Sequence, residues 1–269
     1  MSISLASNLD VSVLEGYGDE LFAALRSRTT VPPLTDREPR LGIEDAYHIS
    51  RRLLERRLAE GERVIGKKIG VTSKVVQRML DVHQPDFGYL TDRMRYADAA
   101  EMPISRELIQ PRAEGEIAFL LKRELTGPGV GIAEVLDATE YICPCFEVVD
   151  SRIVDWKIRI VDTISDNASS GLFLLGTQAV SPRAVDLVTC GMVVEKNGEI
   201  ISTGAGAAAL GSPAYCVAWL ANTLGAFGIP LLAGEIILSG SLVPLEPVAP
   251  GDEMKLTLGG VGTASVHFT

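Results

Sequence analysis

The feature that most constrains the fold is a change in the hydrophobic pattern near Val64. Before this point apolar residues recur at helical spacing, which predicts one helix ahead of Pro32 and a second over residues 43–60. After it, short apolar runs are separated by glycine and proline, a pattern typical of strands and turns. We therefore predict an α+β fold in which an N-terminal helical region, residues 1–64, lies on a mainly β body, residues 65–269.

The β body contains clear local signals. Residues 117–121 and 146–149 are continuous apolar runs and are predicted to be buried strands. Asn197-Gly198 separates two further apolar runs and predicts a hairpin, because both residues readily adopt positive φ.

Composition and charge exclude several classes of protein. The net charge is −10, from 25 basic and 35 acidic residues without a basic tract, so a nucleic-acid surface is not expected. The first ten residues do not resemble a secretory signal, and the most apolar stretch, residues 205–224, is interrupted by Ser212, Pro213 and Asn222. We expect a cytoplasmic protein without a membrane span. The four cysteines lack zinc-site spacing and are predicted to be buried free thiols: Cys143, Cys145, Cys190 and Cys216.

Two glycine-containing segments resemble phosphate-binding motifs. In residues 61–68 a lysine, Lys68, replaces the hydroxyl residue of the motif, and the predicted helix precedes the segment instead of following it. Residues 204–209 have the outline of a dinucleotide-binding turn but follow a predicted hairpin. We predict no nucleotide site, and for Gly204 and Gly206 a turn with positive φ.

The segment that indicates chemistry contains two glutamates, Glu114 and Glu116, separated by one residue. In a strand such residues point to the same face, so two carboxylates would lie close together. A hard divalent cation would neutralise them. A solvated strand face is the alternative, and this segment alone leaves both interpretations open.

A third carboxylate and a lysine pair also lie in apolar surroundings. Glu147, between Phe146 and Val148, is either at a strand edge or paired in the interior; a role as a third metal ligand would explain it. Lys67 and Lys68 would point to opposite faces of a strand, so one of them faces inward unless both reach the surface.

Two polar clusters can be interpreted as ordinary turns. Residues 84–88 are predicted to form a turn that carries Asp86, and residues 166–170 a cap or turn that contains Asn167 and Ser169. Local patterns give no further function for either cluster.

Taken together, several segments resemble the 2-oxopent-4-enoate hydratases, of the hydratase/decarboxylase branch of the fumarylacetoacetate hydrolase-like superfamily. The resemblance covers nearly the whole chain and implies a mixed β-roll or barrel. It is carried by these segments: GKKIGVTS, HQPDFGYL, QPRAEGEIAF, PCFEVVDSRI, VDTISDNASSG, GAGAAALGSP and AGEIILSGSLVPLEPVAPGD.

The resemblance also implies site residues. It implies three ligands for Mg²⁺ or Mn²⁺: Glu114, Glu116 and Glu147. It implies two catalytic residues, Lys68 and Asp86, so that Lys67 points away from the site. It implies residues that line the substrate pocket: Asn167, Ser169 and Ser239.

The implied reaction is a step in the meta-cleavage degradation of aromatic compounds. A hydro-lyase of this family converts 2-hydroxypenta-2,4-dienoate to 4-hydroxy-2-oxopentanoate: the dienol is ketonised, water adds at C4, and C3 is protonated. The resemblance further implies a homo-oligomer and a complex with 4-oxalocrotonate decarboxylase.

Three alternatives remain from the same superfamily. The sister decarboxylase, which acts on 2-oxohex-3-enedioate, shares the metal ligands and the lysine but tends to lack the acid at Asp86. A carbon–carbon bond hydrolase needs a Glu–His dyad, and no histidine here has a matching motif. A non-catalytic partner subunit of the decarboxylase would not need the complete ligand set.

Overall fold

A computed structural model describes residues 9–269, and the first eight residues, on which the absence of a signal sequence was partly judged, lie outside them. No helix within residues 9–269 combines the length and the apolar character that a bilayer crossing requires. The two predicted N-terminal helices are confirmed as α1 and α3. The helices are α1 Val11–Ser27, α2 Leu34–Arg37, α3 Ile43–Ala59, α4 Lys74–Met79, α5 Ile104–Glu107, α6 Ile132–Ala138, α7 Ile160–Ser165 and α8 Pro213–Gly225.

The strands form an eight-stranded and a five-stranded sheet within the described chain. The larger sheet has the order β2-β1-β10-β5-β6-β7-β3, with β11 also pairing with β5, and the smaller has the order β4-β13-β12-β8-β9. The predicted α+β class is confirmed. The strands are β1 Val64–Gly70, β2 Asp86–Thr91, β3 Arg95–Tyr96, β4 Ala100–Met102, β5 Arg112–Leu121, β6 Thr139–Val149, β7 Leu172–Leu175, β8 Gly191–Lys196, β9 Glu199–Ala205, β10 Ile236–Leu238, β11 Glu246–Pro247, β12 Glu253–Leu258 and β13 Gly262–Phe268.

The core is built on the long antiparallel pair β5 and β6, which contain both predicted buried strands. Ile117 and Phe119 of β5 and Phe146 of β6 are fully buried between the two sheets and α8. All four cysteines are buried free thiols, as predicted. Alternation along β5 therefore sends apolar side chains into this core and the intervening residues to the opposite face.

The N-terminal helices pack on the β body through a second apolar cluster. Leu21 of α1 and Ile49 of α3 belong to it, together with Ile153 and Ile164 of the body. Tyr47 of α3 stacks on Phe87 of β2, with ring centroids 4.5 Å apart. The side chains of α1 and α3 thus pack directly against the β body. The predicted boundary at residue 64 stays a prediction.

The glycine-rich segments confirm one expectation and correct another. Asn197 and Gly198 have φ of 53° and 84° and join β8 to β9, as the hairpin prediction requires. Gly204 and Gly206 do not have positive φ, so that prediction was wrong. A Cβ on Gly204 would lie 1.9 Å from the carbonyl oxygen of Leu242, and one on Gly206 would lie 1.7 Å from that of Leu187. These glycines therefore permit close approach of backbone segments.

Candidate active site

Three carboxylates converge where β5 and β6 pair. Glu114 lies directly opposite Glu147, and Glu116 follows on the same face of β5. One oxygen of each carboxylate lies within 4.8 Å of the others. The structure therefore brings together the three residues that the sequence nominated as metal ligands; we call them the carboxylate cluster.

The carboxylate cluster is short of positive charge and of hydrogen-bond donors. The backbone N–H of Gly240 donates to Oε2 of Glu116 at 2.8 Å, but Oε1 of Glu116 and Oε1 of Glu147 have no hydrogen-bond partner among the described residues. Burial, with the charges of Glu114 and Glu147, raises the pKa of Glu116 well above its usual range. Burial also raises the pKa of Glu147 to about 8, although the Lys68 ammonium opposes the rise. Unpartnered oxygens that repel one another fit a hard divalent cation.

Lys68 of β1 provides a cation beside the carboxylate cluster. Its Nζ lies 3.3 Å from Oε2 of Glu147 and donates a hydrogen bond to the carbonyl oxygen of Ala168 at 3.2 Å. Burial lowers the pKa of this ammonium, but the surrounding carboxylates raise it more, so the group stays charged. Lys67 points to the other face and forms an ion pair with Glu235 at 2.6 Å. Both lysines are buried, and only Lys68 faces the carboxylates.

Asp86 is not in a turn, as the sequence suggested, but is the first residue of β2. It lies opposite Gly70 of β1, because β1 and β2 pair from this position onward. A Cβ on Gly70 would lie 2.2 Å from Oδ1 of Asp86 and 3.2 Å from Nζ of Lys68, so the carboxyl and the ammonium share the space above this glycine. Among the described residues Oδ1 has no hydrogen-bond partner. Burial raises the pKa of Asp86 although Lys68 lowers it, which suits a group that exchanges protons.

The three residues expected to line a substrate pocket differ in their contacts. The Asn167 amide is occupied, since Oδ1 accepts from the N–H of Tyr89 at 2.8 Å and Nδ2 donates to its carbonyl at 3.0 Å. The Ser169 hydroxyl lies 3.1 Å from that of Thr163. Ser239, next to the glycine that binds Glu116, is fully buried, and its hydroxyl has no partner within residues 9–269. Of the three, Ser239 is the one with a free hydroxyl.

Sequence reasoning missed some groups around the site. Tyr47 reaches it from α3: burial, the nearby charge of Asp86 and a hydrogen bond from the Phe87 N–H affect its pKa, which is raised overall. In the sequence Tyr47 is one apolar residue of a helix and gives no signal. Arg152 follows Asp150 and Ser151, and this polar setting likewise gives no sign that its side chain is buried.

Comparisons with known proteins agree with this geometry. The sequence model of the fumarylacetoacetate (FAA) hydrolase C-terminal family matches residues 67–269. A 2-hydroxypent-2,4-dienoate hydratase of Pseudomonas putida is 71% identical over 221 residues, which are 82% of this chain and 100% of that protein. A 2-hydroxyhexa-2,4-dienoate hydratase of Comamonas testosteroni is 58% identical over 261 residues, covering 97% of this chain and 99% of the relative.

A solved structure is similar along its full length. The 4-oxalocrotonate decarboxylase from Pseudomonas putida G7, complexed with magnesium and adipate, superposes with a TM-score of 0.94 at 35% identity, covering 98% of this chain and 100% of that one. The resemblance inferred from the sequence is thereby confirmed. This chain belongs to the fumarylacetoacetate hydrolase family and is similar over most of its length to that family's dienoate hydratases.

Proposed function

We infer that this chain is a hydro-lyase that adds water to 2-hydroxypenta-2,4-dienoate and releases 4-hydroxy-2-oxopentanoate. The observation that carries this inference is the placement of Asp86: a buried acid with an unpartnered oxygen shares the space above Gly70 with the ammonium of Lys68. Hydration needs such a group, because water must be oriented and must lose a proton as it attacks. The names of the similar dienoate hydratases support the same reaction.

We propose that Glu114, Glu116 and Glu147 hold one Mg²⁺ or Mn²⁺ ion. Carboxylate oxygens are the ligands that these ions prefer, and three of them lie within 4.8 Å of one another here. When bound, the ion would supply Lewis-acid stabilisation to negative charge on the ketone oxygen of the 2-oxo acid.

The chain's own groups have separate roles in this proposal. Lys68 supplies the local positive charge that an anionic substrate needs in a protein of net charge −10. Asp86 orients the water that attacks C4 and accepts its proton, and Lys68 lies close enough to Asp86 to stabilise the ionised carboxylate. The Ser239 hydroxyl is proposed to bind the substrate, whereas Asn167 and Ser169 shape the backbone around it.

Decarboxylation of 2-oxohex-3-enedioate is the second candidate, favoured by the full-length similarity to the decarboxylase structure. That substrate carries a second carboxylate. A buried Asp86 near the reacting end would repel it, and the single ammonium of Lys68 is already required for the first carboxylate. The site therefore suits a substrate with one carboxylate better than a dicarboxylate.

The test is to incubate the purified protein and Mg²⁺ with each substrate in turn and to identify the products. We expect 4-hydroxy-2-oxopentanoate from the enzymatically generated dienoate and no release of carbon dioxide from the dicarboxylate. Glu116→Gln should abolish turnover, whereas Glu140→Gln, at an exposed position on β6, should not. Carbon dioxide release without hydration would identify the chain as a decarboxylase.

We also propose that the protein forms a homo-oligomer and associates with 4-oxalocrotonate decarboxylase, as its relatives' family implies. Ile200 and Ile201 are both exposed on the edge strand β9, and they are apolar side chains that such an interface would cover. Light scattering at micromolar concentration tests the first part, and co-elution with the decarboxylase tests the second. A monomer would contradict the first part.

A further inference from the structure

The candidate site includes a turn whose backbone conformation is unfavourable. Asn167, Ala168 and Ser169 have φ of 53°, 50° and 52°, so three consecutive residues are left-handed and none is glycine. L-residues adopt this conformation at a cost, and asparagine is the one of the three that tolerates it best. We call these residues the left-handed turn. A conformation of this kind persists only where the surrounding structure holds it.

Arg152 holds both ends of the left-handed turn. Its Nε donates to Oδ1 of Asp166 at 2.5 Å, and its Nη2 donates to the Asp166 carbonyl at 2.6 Å. Its Nη1 donates to the carbonyl of Ser170 at 2.9 Å. Arg152 is 1% exposed, so these protein acceptors take the place of water. A planar guanidinium serves all of them at once, whereas a lysine ammonium cannot span them.

The turn residues themselves bond to β2 and to the residue that follows β6. The Asn167 side chain bonds to both backbone groups of Tyr89 on β2. Gly88 allows this approach, since a Cβ there would lie 2.4 Å from the carbonyl oxygen of Asn167. The N–H of Asp150, just after β6, donates to the carbonyl of Ser169 at 2.8 Å. The left-handed turn is therefore fixed relative to β2 and β6, which carry or adjoin the site residues.

The consequence for the site is the direction of one carbonyl. Held in this way, the Ala168 carbonyl accepts from Nζ of Lys68, which lies 3.3 Å from Glu147 on its other side. The ammonium is thus held between a neutral acceptor and the carboxylate cluster. If the carbonyl turned away, the strongest remaining attraction would draw the ammonium further into the cluster.

We propose that Arg152 is a positioning residue for Lys68: by clamping the left-handed turn it aims the Ala168 carbonyl at the ammonium and fixes it beside the carboxylate cluster. This inference rests on the proposed function, in which Lys68 acts on the substrate. It gives Arg152 and Asp166, neither of which is expected to touch substrate, a measurable effect on catalysis.

The test compares the steady-state kinetics of Arg152→Lys, Ala168→Gly and the double variant with those of the parent, all with saturating Mg²⁺. Arg152→Lys keeps the positive charge but loses the planar guanidinium that bonds to Asp166 and Ser170. We expect kcat to fall by about 10²-fold, the effect of displacing a catalytic group by ~1 Å. KM should rise less than kcat falls, because Lys68 keeps its charge for the anionic substrate but loses its position in the reacting step. Glycine adopts positive φ without steric cost, so adding Ala168→Gly should restore much of the lost kcat.

Arg57→Lys is the matched control. Arg57 is also buried, and within residues 9–269 its guanidinium hydrogen bonds go to Glu62 and Thr91 rather than to the left-handed turn or the carboxylate cluster. It should lower the Tm and leave kcat at the parent value. A folded Arg152→Lys variant with parental kcat would overturn the proposal, and so would a loss that Ala168→Gly does not restore.

Two further measurements cover other outcomes. If Arg152→Lys does not fold, the comparison of Asn167→Ala with Asn167→Gly tests the proposal instead. Both variants lose the hydrogen bonds to Tyr89, but only glycine adopts a positive φ without steric cost. A higher kcat for the glycine variant supports the proposal, and equal values overturn it. If the parent does not hydrate the dienoate, the proposed function fails, and a crystal structure of Arg152→Lys then decides. An opened turn supports the proposal, and an unchanged contact between Ala168 and Lys68 refutes it.

Discussion

Replacing Asp86 with asparagine is expected to stop water addition while the fold and the carboxylate cluster stay intact. Asparagine has the shape of aspartate but cannot accept a proton. Because Asp86 is 1% exposed and lies against Gly70, a substitution that keeps the shape is the one that this space tolerates. The loss of a general acid–base group lowers rates by about 10²–10⁴-fold, which is about 2.7–5.5 kcal/mol of transition-state free energy.

Stability should move in the opposite direction from activity. Burial raises the pKa of Asp86 above that of an unfolded aspartate, although Lys68 limits the rise. When the pKa of a carboxyl is higher in the folded than in the unfolded protein, the folded protein becomes less stable as the pH rises from the unfolded pKa to the folded one. The reason is that ionisation favours the unfolded chain. Asp86→Asn removes this loss, so its Tm at neutral pH should equal or exceed that of the parent.

The assay follows disappearance of the dienol and formation of the hydroxy acid separately. Ketonisation of the dienol should survive better than hydration, because the Lewis-acid stabilisation that a bound cation would supply does not depend on Asp86. Asp81→Asn is the control: Asp81 is exposed, precedes Asp86 by five residues, and has a φ of 53° that asparagine also tolerates. If Asp86→Asn hydrates as fast as the parent, the acid does not handle the water, and the inference of a hydratase loses its main structural support.

Other perturbations test the remaining parts of the site and its frame. Chelation should abolish turnover, and added Mg²⁺ or Mn²⁺ should restore it. Glu147→Gln should need a higher metal concentration for half-maximal activity. Full activity in excess chelator would contradict the metal site. Lys68→Met should lower kcat by about 10²–10⁴-fold. Lys67→Met should keep kcat but lose about 3–5 kcal/mol of unfolding free energy in urea, because the buried Glu235 loses its counter-charge and keeps a hydrogen bond from the Leu232 N–H. Burial raises the pKa of Glu62, but neighbouring arginine charges and hydrogen bonds outweigh it and lower the pKa below 4.5. The stabilisation from Glu62 should therefore be present above pH 4.5 and be lost as the pH falls through the lowered pKa, so the Tm of Glu62→Gln should depend less on acid than that of the parent.

Features that depend on residues close together in the chain could be predicted from the sequence. Alternation along a strand places Glu114 and Glu116 on one face whatever the strand pairs with, and Asn197-Gly198 specifies its own hairpin. The same alternation separates Lys67 from Lys68. These predictions were confirmed because each depends only on neighbours along the chain.

Features that depend on distant partners could not be predicted. Lys67 is buried because Glu235, 168 residues further along the chain, meets it from another element. Asp86 belongs to a strand because β1 supplies its hydrogen-bond partners, although Pro85 and Gly88 give the segment the composition of a turn. The role of the Ala168 carbonyl has no sequence signal, since every residue has a carbonyl and its direction follows from the folded backbone.

Strand β10 has only three residues, yet it joins the two parts of the site. Lys68 on β1 and the glutamates of β5 lie on strands that do not pair with each other, and β10, residues 236–238, lies between them and pairs with both. β5 and β6, by contrast, are close in sequence and pair directly. At a synthesis rate of roughly 5–20 residues per second, β10 leaves the ribosome on the order of ten seconds or more after β1. The carboxylates therefore meet through a strand pair that is local in the chain, whereas Lys68 can join them only after β10 has been synthesised to fill the sheet between β1 and β5.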